Sequence, residues 1–285
     1  MTNTTRSPNL KPSLWRRLIA IWRLLTLVVF TLIVATSLAL GRLILPKRAK
    51  QQWRIWHFIL WSRVIIRGIG GRSQCFGPIP ERPFYLACNH HSYLDILVLA
   101  QYVPSVFVSK AEVQHWPFFG WLTKIADTIY INREKRSDIP RANAAIEAAL
   151  ARGDGVSLFP EGTSSNSDWA LPIRAPLLQV AAETGTRVHS GAIHFKTLAG
   201  DPPPDEVIFY FRDMSFVPHL WQLLHLRGFE VTVRLSDTVL IESDRKQLAL
   251  QVRKQIHALQ TINNGTTDIP DDIDDKAITM EAMRQ

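Results

Sequence analysis

The feature that most restricts how this chain can fold is an uncharged, apolar segment near its amino terminus. The segment runs from Leu24 to Leu40 (LLTLVVFTLIVATSLAL) and lies between Arg23 and Arg42. As a helix it would extend about 26 Å, slightly less than the hydrocarbon core of a bilayer. Cations beside an apolar segment are typical of membrane proteins, because anionic headgroups attract the cations while the acyl region accepts the rest. The segment predicts a membrane helix that either spans with local thinning or lies shallow.

A second segment, from Trp53 to Ile69 (WRIWHFILWSRVIIRGI), mixes tryptophan, aliphatic residues and arginine, as helices at a membrane interface do. Both flanks of the first segment are basic, so the positive-inside rule favours neither orientation. We therefore expect a hydrophobic two-helix membrane anchor at residues 1–72 with both ends on the cytoplasmic side. The alternative is a cleaved signal peptide, since small residues occur at Ala39-Leu40-Gly41. The basic, tryptophan-rich segment that follows favours the anchor.

The positive charge of the chain is concentrated at this same end. The net charge of the 285 residues is +8, but residues 1–80 contain thirteen Lys and Arg and no acidic residue, which leaves the remainder with a net charge of −5. Positive charge that coincides with apolar segments indicates membrane lipids as partners and argues against nucleic acid. The two cysteines, Cys75 and Cys88, are consistent with a reduced compartment.

Beyond residue 72, short apolar runs alternate with helical patterns. Helices are predicted at Asp138–Arg152 and Leu177–Thr184. The alternation predicts an α/β domain at residues 73–260, with a mixed, largely parallel sheet flanked by helices. Residues 261–285 are polar and acidic and are expected to form a disordered tail. The predicted strands are Phe84–Cys88, Val106–Ser109, Thr128–Ile131, Gly155–Phe159, Val188–Phe195, Val207–Phe211 and Phe229–Leu235.

Two adjacent histidines follow the first of these strands, in the stretch FYLACNHHSYLD that ends at Asp95. On a continuous helix His91 and Asp95 would share a face, whereas His90 and Asp95 would lie about 140° apart. Ser92 is a natural N-cap with Asp95 at the third helical position, which keeps both histidines off the helix and lets His90 fold back toward Asp95. A helix N-terminus nearby favours the neutral imidazole that a general base requires. The alternative is that Asp95 only caps the helix and both histidines are solvated.

Two further polar clusters follow predicted strands. Asn132 and Arg133 offer groups suited to a phosphate or carboxylate, unless they form a solvated basic loop. The stretch FPEGT at residues 159–163 places Glu161 and Gly162 on a tight turn. The glycine permits close approach of the backbone to a substrate, and the carboxylate can accept a hydrogen bond from a hydroxyl. The alternative is a simple turn with an exposed glutamate.

Taken in this order, the blocks resemble those of the glycerophospholipid acyltransferase family, the PlsC-like 1-acyl-sn-glycerol-3-phosphate acyltransferases. The first family block, Asn-His-x4-Asp, is matched by Asn89, His90 and Asp95. The second is matched by Asn132-Arg133, and the third, Phe-Pro-Glu-Gly-Thr, by residues 159–163. The resemblance covers roughly residues 73–240, and it selects His90 over His91.

The resemblance implies transfer of a fatty acyl group from acyl-CoA or acyl-carrier protein to the free hydroxyl of a lysophospholipid, with no cofactor and no metal. His90 would deprotonate the hydroxyl, while Asp95 would orient the imidazole and stabilise its protonated form. No Gly-x-Ser-x-Gly stretch is present in the sequence, which argues against a serine acyl-enzyme. The predicted acceptor-binding residues are Asn132, Arg133, Glu161, Gly162, Thr163 and Arg174.

The chain departs from the family where acceptor specificity is set. Many members that form phosphatidic acid have arginine directly after the third block, where this chain has Ser164. Arg174 could supply the missing cation. The serine-rich variant also resembles acyltransferases of lyso-ornithine lipids, so a lyso-aminolipid is the alternative acceptor to 1-acyl-sn-glycerol-3-phosphate. A non-catalytic lipid-binding protein and a hydrolase that uses water as acceptor are alternatives of other classes.

The last predictions concern the membrane. The enzyme is expected at the cytoplasmic face of the cell inner membrane, anchored by residues 1–72. An aromatic stretch is expected to contact acyl chains or the bilayer, with an ordinary buried cluster as the alternative. Its residues are Trp116, Phe118, Phe119 and Trp121.

Overall fold

The computed structural model describes residues 13–115, 120, 123–124, 126–132, 135–167 and 169–265. The first two helices in this part of the chain form a hairpin. Its helices are α1 (Leu14–Ile44) and α2 (Lys47–Gly68). Within the described ranges, α1 is the one helix that is long and apolar enough to cross a membrane. Because α2 carries six Lys and Arg, the predicted anchor contains one hydrophobic helix rather than two.

Polar side chains join the two helices of the hairpin. Ser37 Oγ lies 2.8 Å from His57 Nε2, and the Trp61 indole N–H donates to Thr31 Oγ1 at 2.9 Å. Both pairs are partly buried, and a buried polar atom that loses its hydrogen-bond partner is left unsatisfied. These contacts hold α1 and α2 in one register.

The cations that flank the apolar segment bind the rest of the chain. Arg23 Nη1 donates to the carbonyls of Leu224 and Leu226 at 3.0 and 2.6 Å. At the other end, Arg42 forms an ion pair with Asp127 at 3.2 Å. Helix α1 is thus attached at both ends of its apolar segment, while its outer face exposes large apolar side chains. These include Trp15, Leu18, Trp22, Leu25, Val29, Leu32, Ile33 and Leu43.

Seven strands form one sheet in the order β1-β7-β6-β2-β5-β3-β4. Neighbours are parallel except β6 and β7, which confirms the predicted mixed, largely parallel sheet. Strand β2 lies near the centre between two parallel neighbours, and all five of its residues are buried. Because both faces of the strand are covered, its residues are apolar at successive positions, which explains the continuous apolar run in the sequence. The strands are β1 (Gly71–Phe76), β2 (Phe84–Cys88), β3 (Val106–Lys110), β4 (Ile129–Ile131), β5 (Gly155–Leu158), β6 (Val188–Thr197) and β7 (Phe229–Leu235).

Helices cover both faces of the sheet. On one face Phe84 and Leu86 of β2 pack with residues of α2, α3 and α7, and on the other Tyr85 and Ala87 pack with residues of α4, α5 and α8. This division follows from the alternation of side chains along a strand. The remaining helices are α3 (Leu94–Ala100), α4 (Ile139–Ala151), α5 (Gln179–Thr184), α6 (Pro204–Val207), α7 (Phe216–Leu224) and α8 (Arg245–Asn264), with 3-10 turns at Ala111–His115, Arg136–Asp138 and Ala175–Leu178.

Several elements differ from the sequence predictions, which gave no helix where α6, α7 and α8 form. Gly71–Phe76 forms the edge strand β1, paired with β7, where no strand was predicted. The predicted strand Val207–Phe211 is wrong: Val207 ends α6, and Ile208 and Phe209 are buried without joining the sheet. Three prolines before this run favour a turn and a helix start over a strand.

Both predicted domain boundaries, after residue 72 and before residue 261, fall within structured parts of the chain. Ala20, Ile66 and Ile69 belong to the same core cluster as Leu94 of α3, so the hairpin shares its packing with the α/β domain. The boundary at residue 72 stays a prediction. Helix α8 continues through residues 261–264, into the predicted tail, and residues 266–285 lie outside the described residues.

Candidate active site

The turn after β2 carries both histidines at the carboxyl edge of the sheet. Strand β2 ends at Cys88 and α3 begins at Leu94, so neither histidine is helical, as predicted. The helix begins one residue later than predicted, because Tyr93 and not Ser92 is in the N-cap position. In α/β folds, sites form at such strand-to-helix turns.

Asp95 organises this turn through one carboxylate oxygen. Its Oδ2 accepts hydrogen bonds from His90 Nδ1 at 2.8 Å and from the backbone N–H groups of His91 and Ser92 at 2.7 and 2.9 Å. The Ser92 contact is the acidic half of the predicted capping box. The Asp95 side chain is fully buried. Because a carboxylate only accepts hydrogen bonds, the proton of a neutral His90 lies on Nδ1.

The second nitrogen of His90 is available for chemistry. Within the described residues Nε2 forms no hydrogen bond, and the side chain is 19% exposed. The imidazole stacks on the Phe159 ring at a centroid distance of 4.0 Å and an interplanar angle of 8°. Phe159 and Asp95 thus fix the ring orientation while Nε2 keeps a lone pair. This is the arrangement that a general base needs.

His91 has a different environment. Its Nε2 lies 2.7 Å from Asn89 Nδ2, its Nδ1 lies 3.1 Å from the Ser165 carbonyl, and its ring stacks on Phe209. Since Asn89 Nδ2 can only donate and a carbonyl can only accept, His91 is neutral with its proton on Nδ1. Both of its nitrogens are used inside the protein, so the structure separates the two histidines.

Asn89 anchors the turn to the sheet. Its Oδ1 accepts from the Ile193 N–H at 2.7 Å, and its Nδ2 donates to the Ile193 carbonyl at 3.0 Å. This pair of bonds ties the end of β2 to β6 in the interior. The first residue of the Asn-His-x4-Asp block therefore holds the site in place.

Glu161, from the third block, is buried beneath the same turn. Its residue exposure is 4%, and neither carboxylate oxygen forms a hydrogen bond of normal geometry with the described residues. Burial raises its pKa well above the ordinary range, and the nearby charge of Asp95 adds to that shift. The N–H groups of His90 and Leu171 face the carboxylate and oppose the shift. Glu161 thus lies under the His90 turn, while its contact with an acceptor stays a prediction.

Gly162 lies on a tight turn at a positive φ of 80°. Its N–H donates to the Phe159 carbonyl at 3.1 Å. A Cβ at this position would lie 2.5 Å from Arg174 Nε, so the arginine packs directly on the glycine. Arg174 forms no ion pair or side-chain hydrogen bond with any described residue. Thr163 is exposed beside it.

The segment after the third block is tied to the histidine turn. The Ser165 N–H donates to the His90 carbonyl at 3.0 Å, and Ser164 Oγ donates to the Tyr210 carbonyl at 2.5 Å. The Tyr210 N–H in turn donates to the His91 carbonyl at 2.8 Å. Ser164, where the family often has arginine, therefore joins two loops at the site.

A buried tyrosine–histidine pair extends this network, and the sequence had not indicated it. Tyr93 OH lies 3.1 Å from His219 Nδ1, and His219 Nε2 lies 3.0 Å from the Phe209 carbonyl. His219 is therefore a neutral imidazole, which accepts a hydrogen bond from Tyr93 OH at Nδ1 and donates one from Nε2 to the carbonyl. Burial lowers its pKa to about 4. No local sequence motif could reveal the pair, because Tyr93 and His219 are 126 positions apart in the chain.

This pair predicts a pH dependence of stability. The His219 pKa is about 4 in the folded chain, against 6.5 for an unperturbed histidine, so the unfolded chain binds the proton more readily between these two pH values. Stability is therefore fully present above pH 6.5 and falls as the pH drops toward 4, by on the order of 3 kcal/mol. We expect thermal unfolding of His219→Gln to be less sensitive to pH in this window. If the unfolding temperatures of the two proteins fell equally between pH 6.5 and pH 4, His219 would not be the cause of the pH dependence.

The second block lies farther from His90. Asn132 follows β4, which is three strands from β2, or about 14 Å at the usual strand spacing. Its N–H donates to Asp138 Oδ2 at 2.6 Å. No cluster of three His, Cys, Asp or Glu suited to a metal ion occurs in the described ranges. Arg133, Trp116, Phe118, Phe119 and Trp121 lie outside the described residues.

Comparison with known proteins places this geometry in a family. The acyltransferase family model matches residues 74–194, which include His90, Asp95 and Glu161. A lyso-ornithine lipid O-acyltransferase of Rhizobium meliloti is 30% identical over 258 residues, 86% of this chain and 86% of that protein. A 1-acyl-sn-glycerol-3-phosphate acyltransferase of Neisseria meningitidis serogroup B is 31% identical over 188 residues, 64% of this chain and 72% of that protein.

The fold has a counterpart among solved structures. The crystal structure of the 1-acyl-sn-glycerophosphate acyltransferase PlsC from Thermotoga maritima superposes with a TM-score of 0.65 at 18% identity, covering 86% of this chain and 96% of that one. The family match covers the part of the chain that carries His90 and Asp95. The chain therefore belongs to the PlsC-like glycerophospholipid acyltransferase family and is an acyltransferase.

Proposed function

We propose that this enzyme transfers a fatty acyl group from a thioester, acyl-CoA or acyl-carrier protein, directly to the free hydroxyl of a membrane lyso-lipid. The observation that carries the proposal is His90, which is held through Nδ1 by Asp95 at 2.8 Å while Nε2 stays unbonded within the described residues. A base of this kind contributes about 10²–10⁴-fold to the rate, with the remainder coming from positioning and stabilisation of the oxyanion.

The proton movements follow from this geometry. Nε2 of His90 takes the proton of the acceptor hydroxyl as its oxygen forms a bond with the thioester carbonyl carbon. Asp95 stabilises the imidazolium through Nδ1, as the acid of a Ser-His-Asp triad does. The tetrahedral intermediate then breaks its C–S bond, and the imidazolium returns the proton to the thiolate. The products are the acylated lipid and a free thiol.

The leading acceptor is 1-acyl-sn-glycerol-3-phosphate. Arg174 packs on Gly162 beside Glu161 and has no carboxylate partner among the described residues. A guanidinium in this position suits a phosphate oxygen pair. The Neisseria meningitidis relative is named for this acceptor.

A lyso-ornithine lipid is the second candidate acceptor, and a specific residue favours it. Ser164 replaces the family arginine, and its hydroxyl is already bonded to the Tyr210 carbonyl. The Rhizobium meliloti relative, named for this acceptor, matches more of the chain than the phosphate-type relative does. Ornithine carries a carboxylate, which Arg174 could also bind.

An assay of thiol release distinguishes the two candidate acceptors from each other. It also distinguishes acyl transfer from hydrolysis and from lipid binding without catalysis. Purified enzyme with one acyl-CoA would be offered lysophosphatidic acid, lyso-ornithine lipid or no lipid, with products identified by mass spectrometry. Acyl transfer requires thiol release that depends on a lyso-lipid. Release of free fatty acid without a lipid would establish a hydrolase instead. No thiol release with any acceptor or donor would favour a lipid-binding protein.

Arg174 gives a test of acceptor binding. We expect Arg174→Gln to raise KM for the preferred acceptor about 10- to 100-fold, since a charged hydrogen bond is worth roughly 1.5–3 kcal/mol. Arg174→Lys should recover part of the loss, because it keeps the charge but not the fork geometry. The matched control is Arg187→Gln, because Arg187 is an exposed arginine directly before β6. An unchanged KM would exclude Arg174 from the acceptor site.

The proposed location is the cytoplasmic face of the inner membrane, with α1 in the plane of the interface. Arg23 and Arg42 attach α1 to the α/β domain at both ends of its apolar segment. A helix held this way would have to leave the domain in order to cross the bilayer. Its exposed apolar face supports shallow insertion instead.

Vesicle binding tests this face of α1. Ile33 is 58% exposed, and we expect Ile33→Asp to weaken vesicle binding about tenfold or more, because burial of such a side chain is worth roughly 1.5–3 kcal/mol. Ile241→Asp is the control, since Ile241 is 64% exposed but lies after β7. Equal losses in both variants would contradict the assignment. Point changes are preferable to deletion of residues 1–72, which would remove the buried Ile66 and Ile69 and expose the core residues that they cover.

A further inference from the structure

A cavity of about 470 Å³, lined by charged and apolar side chains, lies at the closed end of the helical hairpin. It is formed where the end of α1 and the start of α2 meet two loops of the α/β domain. Neither the catalytic histidine nor any residue of the three family blocks lines it. The lining residues are Leu38, Gly41, Arg42, Lys50, Gln51, Trp53, Arg54, Asp127, Arg152 and Asp154.

The cavity is at the opposite edge of the sheet from the catalytic site. Asp127 and Asp154 precede β4 and β5, whereas His90 follows β2, a parallel strand. From Asp154 to Phe159, which stacks on His90, the chain runs the length of β5. Five residues of strand extend about 17 Å. A ligand in the cavity would therefore be separate from the acyl acceptor.

The charges in the cavity do not balance. Arg54 bridges Asp127 and Asp154 at 3.0 and 3.3 Å, and Arg152 contacts Asp154 at 3.2 Å. Lys50 forms no ion pair or side-chain hydrogen bond with any described residue. Four cations face two carboxylates, so the site has an excess of two positive charges. The Arg152 side chain is 58% exposed and can turn toward a ligand.

The surroundings of the cavity match the headgroup level of a membrane. Leu43 and Ile44, at the end of α1, are 82% and 77% exposed. Trp53 lines the cavity, and Trp56, one turn further along α2, is 56% exposed. Aliphatic side chains, indoles and cations occur together where acyl chains give way to headgroups.

We propose that this cavity binds the phosphate group of an anionic phospholipid, at a site distinct from the acyl acceptor. Lys50 and Arg152 contact the phosphate oxygens, while Leu38 and Trp53 lie beside the glycerol and the first acyl carbons. Bound lipid would fix the closed end of the hairpin at the membrane surface. The inference rests on the proposed membrane association and is independent of acyl transfer.

The test measures vesicle affinity of the full chain by co-sedimentation, without an acyl donor. Vesicles of phosphatidylcholine alone are compared with vesicles that also contain phosphatidylglycerol. We expect Lys50→Gln/Arg152→Gln to lose about 10- to 30-fold of its affinity for the anionic vesicles, since each surface cation is worth about fivefold. Its affinity for phosphatidylcholine should stay that of the unsubstituted protein. The matched control is Arg187→Gln/Lys196→Gln, which removes two exposed cations of the α/β domain.

Each outcome decides the proposal. A loss confined to the cavity pair, with part of the anionic preference surviving at high salt, supports a built site rather than diffuse attraction. Equal losses in both pairs, or no loss in the cavity pair, would overturn it. Saturable binding of inorganic phosphate by the unsubstituted protein but not by the cavity pair, together with equal affinities of the two proteins for anionic vesicles, would overturn the lipid as source and assign a soluble phosphate compound. Thermal unfolding of both pairs verifies that they fold.

Discussion

Replacing His90 with alanine is expected to lower kcat/KM for acyl transfer by roughly 10²–10⁴-fold. The substitution removes the Nε2 lone pair that would accept the proton of the acceptor hydroxyl. It also removes the ring stacked on Phe159 at 4.0 Å, but the backbone hydrogen bonds of the turn remain. Thiol release in the presence of the preferred lyso-lipid measures the effect.

The control for this experiment is His115→Ala, because His115 is an exposed histidine outside the site. That variant should keep the turnover of the unsubstituted enzyme. Wild-type turnover in purified His90→Ala would rule out the proposed mechanism. A matching far-ultraviolet circular dichroism spectrum would establish that a slow variant is folded.

Asp95→Asn should cost a comparable factor, about 10²–10⁴-fold in kcat. The amide oxygen of asparagine can still accept from the backbone N–H groups of His91 and Ser92, which now bond to Oδ2 at 2.7 and 2.9 Å. Because the same Oδ2 also accepts from His90 Nδ1, an amide oxygen in its place keeps all three hydrogen bonds but carries no negative charge. The imidazolium that forms when His90 takes the proton of the acceptor hydroxyl therefore loses its stabilising anion.

Comparison with Asp95→Ala separates this effect from loss of structure. Alanine leaves the two backbone N–H groups without an acceptor, at about 1–3 kcal/mol each, so that variant should be less stable. Asp95→Asn should unfold near the temperature of the unsubstituted protein and yet be slow. A fast Asp95→Asn enzyme would show that the carboxylate only caps α3.

The strands and the central turn could be predicted because their causes are local. Strand β7 was predicted at its observed bounds, and β2 reads as a continuous apolar run because helices cover both of its faces. His90 was distinguished from His91 by the capping tendency of Ser92 together with the family block. That step succeeded even though the helix begins one residue later than predicted.

Other elements could not be predicted because distant residues stabilise them. Edge strand β1 is polar and mostly exposed along one face, and its pairing with β7 joins residues about 158 positions apart. The run Val207–Phe211 is apolar because Phe209 packs on His91, not because it joins the sheet. Glu161 looked like a substrate ligand, yet the fold buries it under the His90 turn.

By itself, the sequence determined the apolar α1 and the strand-helix alternation, which depend on hydrophobic periodicity. The capping tendency of Ser92 kept both histidines off the helix, and the resemblance to the family block selected His90 as the partner of Asp95. Only the tertiary structure decided the use of Arg23 and Arg42 inside the protein, the buried role of His91, and the cavity beside Lys50. Those features require side chains brought together from distant positions, and burial then selects the partner and protonation state of each.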